Sequence, residues 1–158
     1  MGKEIERKFL VKSDAWKSLA TGTYYRQGYL STIKERVVRV RTIGDKGFLT
    51  IKGITVGVTR SEFEYEIPVE EANLMLDNLC EKPIIEKLRA KIKLDGLVWE
   101  VDEFHGENQG LVVAEVELQD ENQKLTLPDW IGPEVSGDPR YFNSNLILRP
   151  YTHWASQK

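Results

Sequence analysis

The sequence contains few of the residues that build disulfides, metal-binding motifs or membrane segments. Among 158 residues there is one cysteine, Cys80, which cannot form a disulfide within the chain and which we expect to pack as a small hydrophobe. The two histidines, His105 and His153, are too few and too far apart for a histidine metal motif. Residues 1–8 lack the apolar run of a signal peptide, and no stretch approaches the roughly 18 apolar residues of a membrane span. We therefore expect a cytoplasmic protein with no membrane partner.

The motifs of several large enzyme classes are also absent. The chain has no Walker A loop, no dinucleotide-binding glycine fingerprint, no HExxH motif and no nucleophile elbow. Its net charge is −3, so we expect no broad electropositive surface for nucleic acid. An anionic ligand would have to be bound by a local cluster of basic side chains. The oligomeric state stays open.

Polar and apolar residues alternate over most of the chain. A period of two is typical of β-strands that turn one face toward a core. Turn residues separate the segments, as in Gly-Asp-Lys-Gly at residues 44–47 and Asp-Gly at residues 95–96. The expected strands are residues 4–12, 24–32, 36–43, 48–54, 58–69, 84–94, 97–105 and 111–119. Eight strands with short turns predict a closed antiparallel barrel, because closure removes exposed strand edges.

A few short helices are expected outside this barrel. Ser13 and Asp14 can cap a helix that runs to Leu19. After Pro68, apolar residues at helical spacing predict a second helix, which Pro83 stops. A third helix is expected around residues 142–148. The predicted fold class is therefore a β-dominated α+β fold, in which residues 1–158 form a single domain.

Charges of one sign occupy alternate positions on several of the expected strands. Glu4 and Glu6 form one such pair, and Arg39 and Arg41 form another. Side chains at i and i+2 of a strand point the same way, about 6.5–7 Å apart, so like charges there repel. Water and salt screen this repulsion on an exposed face, whereas an enclosed site needs counter-ions. Paired carboxylates suit a hard divalent cation, and paired Arg and Lys suit a polyanion.

Two sets of side chains are candidates for an enclosed site. The cations are Lys8, Arg39, Arg41, Lys52, Lys87 and Arg89. The carboxylates are Glu4, Glu6, Glu62, Glu64, Asp102, Glu115 and Glu117. The carboxylates are in excess by one, so two divalent ions and a polyphosphate of roughly −4 to −5 would bring the site near balance. Periodicity alone leaves open whether this charged face lines a cavity or faces solvent.

The segment Glu4-Ile5-Glu6-Arg7-Lys8-Phe9 contains the pattern E-x-E-x-K. Further segments follow in order along nearly the whole chain: Arg39-Val40-Arg41, Leu49-Thr50-Ile51-Lys52, Glu62-Phe63-Glu64, Glu86-Lys87-Leu88-Arg89, Val101-Asp102-Glu103-Phe104, Ala114-Glu115-Val116-Glu117 and Gly137-Asp138-Pro139-Arg140-Tyr141-Phe142-Asn143. With this ordered set the chain resembles the CYTH superfamily, the triphosphate tunnel metalloenzymes. Its short length is similar to that of stand-alone bacterial members, several of which are inorganic triphosphatases.

The resemblance implies that the charged residues point into a tunnel formed by the eight-stranded barrel. It implies Mg²⁺ or Mn²⁺ as cofactor, with the metal region formed by Glu4, Glu6, Glu115 and Glu117 and with further acidic groups at Glu62, Glu64 and Asp102. It implies that a triphosphate is bound by Lys8, Arg39, Arg41, Lys52, Lys87 and Arg89; Lys91 lies on the same face. Tyr29 is a candidate proton acceptor by the same resemblance. The alternative for Tyr29 is packing in the wall, because an unperturbed phenol has a pKa near 10.

The implied function is metal-dependent hydrolysis of the terminal phosphoryl group of a triphosphate, with inorganic tripolyphosphate as the first substrate considered. A nucleoside or thiamine triphosphatase is the alternative within the family, since the same basic residues can bind any triphosphate. An adenylate cyclase on the same barrel would need a pocket for adenine and ribose, which the sequence does not reveal. A non-enzymatic polyphosphate-binding module would not need the paired carboxylates.

Overall fold

A computed structural model describes residues 3–154, with the side chain of Lys3 left out of the description. Nine strands form one sheet in the order β5-β4-β3-β2-β6-β7-β8-β1-β9, and β1 also pairs with β5. This last pairing closes the first eight strands into an antiparallel barrel, as predicted. The strands are β1 Lys3–Val11, β2 Gly22–Ser31, β3 Val37–Ile43, β4 Lys46–Lys52, β5 Thr59–Ile67, β6 Ile85–Leu94, β7 Leu97–Phe104, β8 Val112–Glu117 and β9 Ile131–Glu134.

Two tight hairpins set the register of the barrel strands as the turn residues predict. Leu94 pairs with Leu97 across Asp95-Gly96, and both turn residues have positive φ, at 51° and 77°. That conformation matches a two-residue turn whose twist suits antiparallel strands. Between β3 and β4, Gly44 has φ 59°. The positive φ explains why glycine stands at the tip of this hairpin.

The ninth strand was not expected from the sequence. β9 pairs with the later part of β1, where Phe9 lies opposite Glu134 and Val11 opposite Ile131. Its four residues include Gly132 and Pro133, which are poor strand formers. Proline is tolerated on an edge strand, and β9 ends the order of strands.

The helices are shorter than the sequence predicts. α1 spans Val69–Asn78, so it begins after Pro68 as expected but ends before Pro83 is reached. The helix expected up to Leu19 is a single 3-10 turn at Ala15–Ser18. The C-terminal helix expected at residues 142–148 is α2, Asn143–Leu146, and α3, Tyr151–Trp154, follows it. No helix within residues 3–154 is long and apolar enough to cross a membrane.

Helix α1 lies against the outer face of β2, β3 and β4, where two glycines allow close approach. A Cβ atom at Gly28 would lie 2.9 Å from the Cβ of Cys80, and one at Gly47 would lie 2.7 Å from the Cβ of Ala72. Cys80 is buried with Ala72 and Leu76, which agrees with its expected role as a small hydrophobe. The apolar face of these strands therefore packs under a helix outside the barrel.

A second apolar cluster covers the outer face of β1, β6, β7 and β8. Trp99 is its centre, with ring centroids 5.7 Å from Phe9 and 6.0 Å from Trp130. Val101 and Val116 are buried in the same cluster. Since the apolar faces of these strands pack outward, their charged faces turn to the barrel interior.

The C-terminal segment, residues 139–154, packs across one end of the barrel. Tyr141 and Leu146 are buried in one cluster with Phe104 and Val113, which lie where β7 ends and β8 begins. The residues of this segment therefore cover one end of the barrel.

Candidate active site

The barrel encloses a cavity of about 260 Å³ whose lining is dominated by charged side chains. The charged lining residues are Glu4, Glu6, Lys8, Arg39, Arg41, Lys52, Arg60, Glu62, Glu64, Arg89, Glu100, Glu115 and Glu117. All predicted site residues except Lys87 and Asp102 are among the lining residues, and Tyr29 is too. The alternation of the sequence therefore corresponds to charge inside and apolar residues outside.

Exposure differs between the cations and many of the carboxylates. The side chains of Arg39, Lys52 and Arg89 are 7–9% exposed, whereas those of Glu62 and Glu64 are 29% and 34% exposed. The basic groups therefore lie deep in the cavity, and part of the acidic set lies near its opening.

Asp102 and Lys87 form a buried ion pair behind the cavity wall. The Nζ atom of Lys87 donates to Asp102 at 2.8 Å, and Arg89 donates to both Asp102 oxygens at 2.7 and 2.8 Å. Both Asp102 and Lys87 are 1% exposed. The carboxylate of Asp102 therefore accepts hydrogen bonds from two cations, and Asp102 is not among the residues that line the cavity. This position differs from the expected one, in which Asp102 was an acidic group of the tunnel surface.

Burial and charge act in opposite directions on this pair. Burial raises the pKa of Asp102, but Arg89 and Lys87 outweigh it, so the pKa is lowered overall. Burial lowers the pKa of Lys87 to about 8, despite the adjacent carboxylate. Arg89 also contacts Glu100 and Glu115, at 3.3 and 3.4 Å. Its guanidinium is thus held in place by three carboxylates.

Glu4, Glu6, Glu115 and Glu117 are crowded together on β1 and β8. Burial, Glu115 and Glu4 together raise the pKa of Glu6 well above its ordinary value. Burial, Glu4 and Glu62 likewise raise the pKa of Glu117. The pKa of Glu115 is instead lowered, because Lys8 and a hydrogen bond from Glu6 outweigh its burial. The carboxylates of this cluster are closer together than the neighbouring cations can offset. The cluster therefore keeps a proton to unusually high pH.

The chemistry of this donor set fits a hard divalent cation. All the donors are carboxylate oxygens, the ligands that Mg²⁺ and similar ions prefer, and a cation would relieve the repulsion that raises the pKa of Glu6. Within residues 3–154, however, no three His, Cys, Asp or Glu side chains already converge as metal ligands. One reason is that Glu4 accepts from Lys52 at 3.4 Å and from Arg60 at 3.3 Å. Metal binding would require Glu4 to turn from these cations.

Two charged lining residues were missing from the set proposed from the sequence. Arg60 lies directly opposite Glu4 in the β1–β5 pairing. Arg60 stands two residues before Glu62, so the alternation of the sequence could have placed it on the same face of the strand. Glu100 shares a face with Asp102 and contacts Arg89. Lys91, which has the same alternation, lies outside the lining set, with 59% of its side chain exposed.

The C-terminal segment contributes to the lining of the site, a role that the sequence left open. The Nζ atom of Lys8 donates to the carbonyl oxygen of Tyr141 at 3.0 Å and lies 5.9 Å from the ring centroid of Phe142. Phe142 and Asn143 line the cavity. The Oδ1 atom of Asn143 is buried without a hydrogen-bond partner in the described part of the chain. The segment that covers one end of the barrel therefore also lines the site.

Tyr29 lines the cavity but is not in the state expected of a base. Gln27 donates to its hydroxyl oxygen at 3.3 Å. Burial raises the pKa of Tyr29 although Arg39, Arg60 and Arg41 act in the opposite direction. The phenol therefore keeps its proton near neutral pH, and its environment favours a hydrogen-bond donor.

The known proteins that are similar to this chain include two inorganic triphosphatases. A protein of Acetivibrio thermocellus called inorganic triphosphatase is 62% identical over 154 residues, which cover 98% of this chain and 99% of that protein. One of Nitrosomonas europaea with the same name is 39% identical over 149 residues, covering 92% and 97%. The solved structure of the inorganic triphosphatase NE1496 is 36% identical, with a TM-score of 0.65 and coverage of 91% and 97%. The CYTH domain matches residues 2–151, and the chain belongs to the CYTH family.

Proposed function

We propose that this protein is a divalent-metal-dependent triphosphatase that hydrolyses inorganic tripolyphosphate to pyrophosphate and phosphate. The observation that carries the proposal is one cavity inside the barrel, in which five predicted basic side chains lie, together with Arg60, beside a cluster of carboxylates. We call the five the basic clamp: Lys8, Arg39, Arg41, Lys52 and Arg89. The 62% identical relative named inorganic triphosphatase supports the same substrate. With one cysteine and net charge −3, we place the activity in the cytoplasm and without a nucleic-acid partner.

In this proposal the basic clamp binds the phosphate oxygens and aligns the chain for attack at its end. The Nε atoms of Arg39 and Arg41 are buried without hydrogen-bond partners within residues 3–154, and both arginines line the cavity. Burial, Arg39 and Arg89 lower the pKa of Arg41 to about 10. A polyanion would relieve that repulsion, and guanidinium groups match phosphate oxygens in a bidentate way.

Glu4, Glu6, Glu115 and Glu117 would hold the metal, with Glu62 and Glu64 as further acidic groups near the opening. Triphosphatases of the CYTH family are metal-dependent, and the all-carboxylate donor set suits Mg²⁺ or Mn²⁺. When bound, such an ion neutralises phosphate charge and lowers the pKa of a water ligand. Because Glu6 keeps its proton to unusually high pH, this residue must release it before it can act as a ligand.

Asp102 and Lys87 take a supporting role in this proposal. Asp102 accepts from Nε and Nη2 on one edge of the Arg89 guanidinium and so fixes the direction in which Arg89 faces the cavity. Tyr29, protonated and hydrogen-bonded to Gln27, would donate to a phosphate oxygen rather than accept a proton. Positioning of this kind lowers the entropic cost of reaching an in-line geometry.

The proposal is tested by incubating the protein with tripolyphosphate, ATP or thiamine triphosphate, each with Mg²⁺, Mn²⁺ or EDTA. Phosphate, pyrophosphate and cyclic AMP are then measured. We expect phosphate and pyrophosphate chiefly from tripolyphosphate, and none in EDTA. A preference for ATP or thiamine triphosphate would replace the substrate, and cyclic AMP with pyrophosphate from ATP would replace the reaction.

A pair of matched variants tests the carboxylate cluster. Glu6→Gln keeps the size of the side chain but removes its charge. We expect turnover to fall about 100-fold, because the loss of even an outer-shell partner of a metal site typically costs about 10–100-fold. Glu66→Gln is the control, because Glu66 is exposed on β5 and is not among the lining residues. Near-normal activity in Glu6→Gln would contradict the assignment.

A further inference from the structure

Two arginines of the basic clamp share one aromatic ring behind the cavity wall. The Cζ atom of Arg41 lies 5.4 Å from the ring centroid of Tyr25, and the Cζ atom of Arg89 lies 5.1 Å from it. Both distances are within the range of cation–π attraction. Tyr25 is 3% exposed and is not among the residues that line the cavity. Its ring can therefore act on the site only through the arginines.

The two arginines differ in how firmly carboxylates hold them. Arg89 has a 2.7 Å contact with Asp102 and two longer contacts, with Glu100 and Glu115. Arg41 has a single carboxylate contact within residues 3–154, with Glu64 at 3.4 Å, and about a third of that Glu64 side chain is exposed. The ring of Tyr25 is thus a larger part of the support for Arg41 than for Arg89.

An aromatic ring can stabilise the clustered arginines without adding negative charge to the site, which a further carboxylate could not do. Arg39, Arg41 and Arg89 repel one another, and this repulsion contributes to the lowered pKa of Arg41. A further carboxylate would offset it but would also repel an incoming polyphosphate. The face of an aromatic ring attracts cations through its quadrupole while carrying no net charge. The arginines of the basic clamp can therefore lie close together, and no added negative charge weakens their attraction for the ligand.

We propose that Tyr25 is a positioning residue for tripolyphosphate binding, whose ring face orients Arg41, and to a smaller extent Arg89, toward the cavity. This inference depends on the proposed function, since tripolyphosphate is the ligand that the arginines are taken to bind. The hydroxyl group of Tyr25 is not needed for the role. What matters is the electron density of the ring.

Three substitutions separate this role from simple packing. Tyr25→Phe keeps the ring, and we expect its KM for tripolyphosphate to stay within about twofold of the wild type. Tyr25→Leu removes the ring, and we expect KM to rise about 10-fold with a smaller fall in kcat, the size typical of cation–π contacts at partly desolvated sites. Phe9→Leu is the matched control, because Phe9 is 1% exposed and its ring lies 5.3 Å from Arg7, outside the site. We expect it to lower stability while leaving KM unchanged.

A graded series keeps the test valid if Tyr25→Leu does not fold. Phenylalanine with one, two or three ring fluorines at position 25 nearly keeps the shape of the ring but weakens its quadrupole stepwise. We expect KM to rise with each fluorine. A flat series would overturn the inference, as would a Tyr25→Phe variant with the same defect as Tyr25→Leu. A wild-type protein without tripolyphosphatase activity would instead overturn the proposed function, so the two failures are distinguishable.

Discussion

Replacing Asp102 with asparagine tests whether this residue supports Arg89 or binds metal. The substitution keeps the shape of the side chain and removes its charge. Arg89 would then keep its positive charge at 8% exposure without the carboxylate that it contacts at 2.7 Å. Lys87, which is 1% exposed, would lose the group that holds up its pKa, already lowered to about 8, and so would lose its proton more easily. The structure therefore predicts a loss of folding stability in Asp102→Asn, with metal affinity largely unchanged.

The size of this loss follows from the burial of the pair. Removing one partner of a buried ion pair typically costs about 3–5 kcal/mol, because the other charge stays buried and uncompensated. Asparagine still offers one acceptor oxygen, so we take the lower end, about 3 kcal/mol. For a chain of this size each kcal/mol changes Tm by roughly 2–4 °C, which gives a decrease of roughly 6–12 °C.

The difference in folding stability between the wild type and Asp102→Asn should depend on pH, in a direction set by the lowered pKa of Asp102. Because the pKa of Asp102 is lowered in the folded protein, its carboxylate contributes stability above the ordinary aspartate pKa of about 3.9 and loses it as pH falls through the lowered value. The stability difference between wild type and Asp102→Asn should therefore be full at neutral pH and shrink below about pH 4. Thermal denaturation followed by circular dichroism at several pH values measures it.

Asp138→Asn is the matched control for this experiment. Asp138 contacts Arg140 at 2.7 Å, the same distance as that between Asp102 and Arg89, but 61% of the Arg140 side chain is exposed. An exposed pair of this kind contributes little, so we expect no clear change in Tm. If Asp102→Asn leaves Tm unchanged and instead weakens Mn²⁺ binding in calorimetry, the supporting role is wrong and Asp102 acts as a metal ligand.

Two further outcomes follow from the site and the fold. Since the pKa of Glu6 is raised well above its ordinary value, Mn²⁺ affinity measured by calorimetry without substrate should decrease as the pH is lowered toward about 5, a range in which an ordinary glutamate stays ionised. Glu6→Gln should reduce this dependence, and an equally steep profile in that variant would assign the proton elsewhere. Gly47→Ala would place a Cβ atom 2.7 Å from that of Ala72, and overpacking of this kind costs about 1–3 kcal/mol, which urea denaturation would detect. Unchanged stability there would mean that α1 shifts outward without cost.

The strands and most site residues could be predicted from the sequence because both are encoded in local spacing. Alternation with a period of two locates each strand and groups Glu4 with Glu6 or Arg39 with Arg41, whichever fold the chain adopts. The ordered motifs then led to the CYTH family, which the family match and the relatives confirmed. The names of the relatives also agree with the expected triphosphatase. The assignment of metal and phosphate roles to single residues stays a prediction.

Other features depend on which strands become neighbours, and spacing along the chain does not contain that information. Asp102 meets Lys87 and Arg89 because β6 pairs with β7, and Tyr25 reaches Arg41 and Arg89 because β2 lies between β3 and β6. Periodicity defines two faces of a strand without saying which one is inside.

Closure of the barrel and the packing of α1 and residues 139–154 decide this together. The sequence by itself therefore determined which side chains share a face. Only the tertiary structure decided which charges line the cavity and which are neutralised behind its wall, because burial and cross-strand distance set the strength of each interaction.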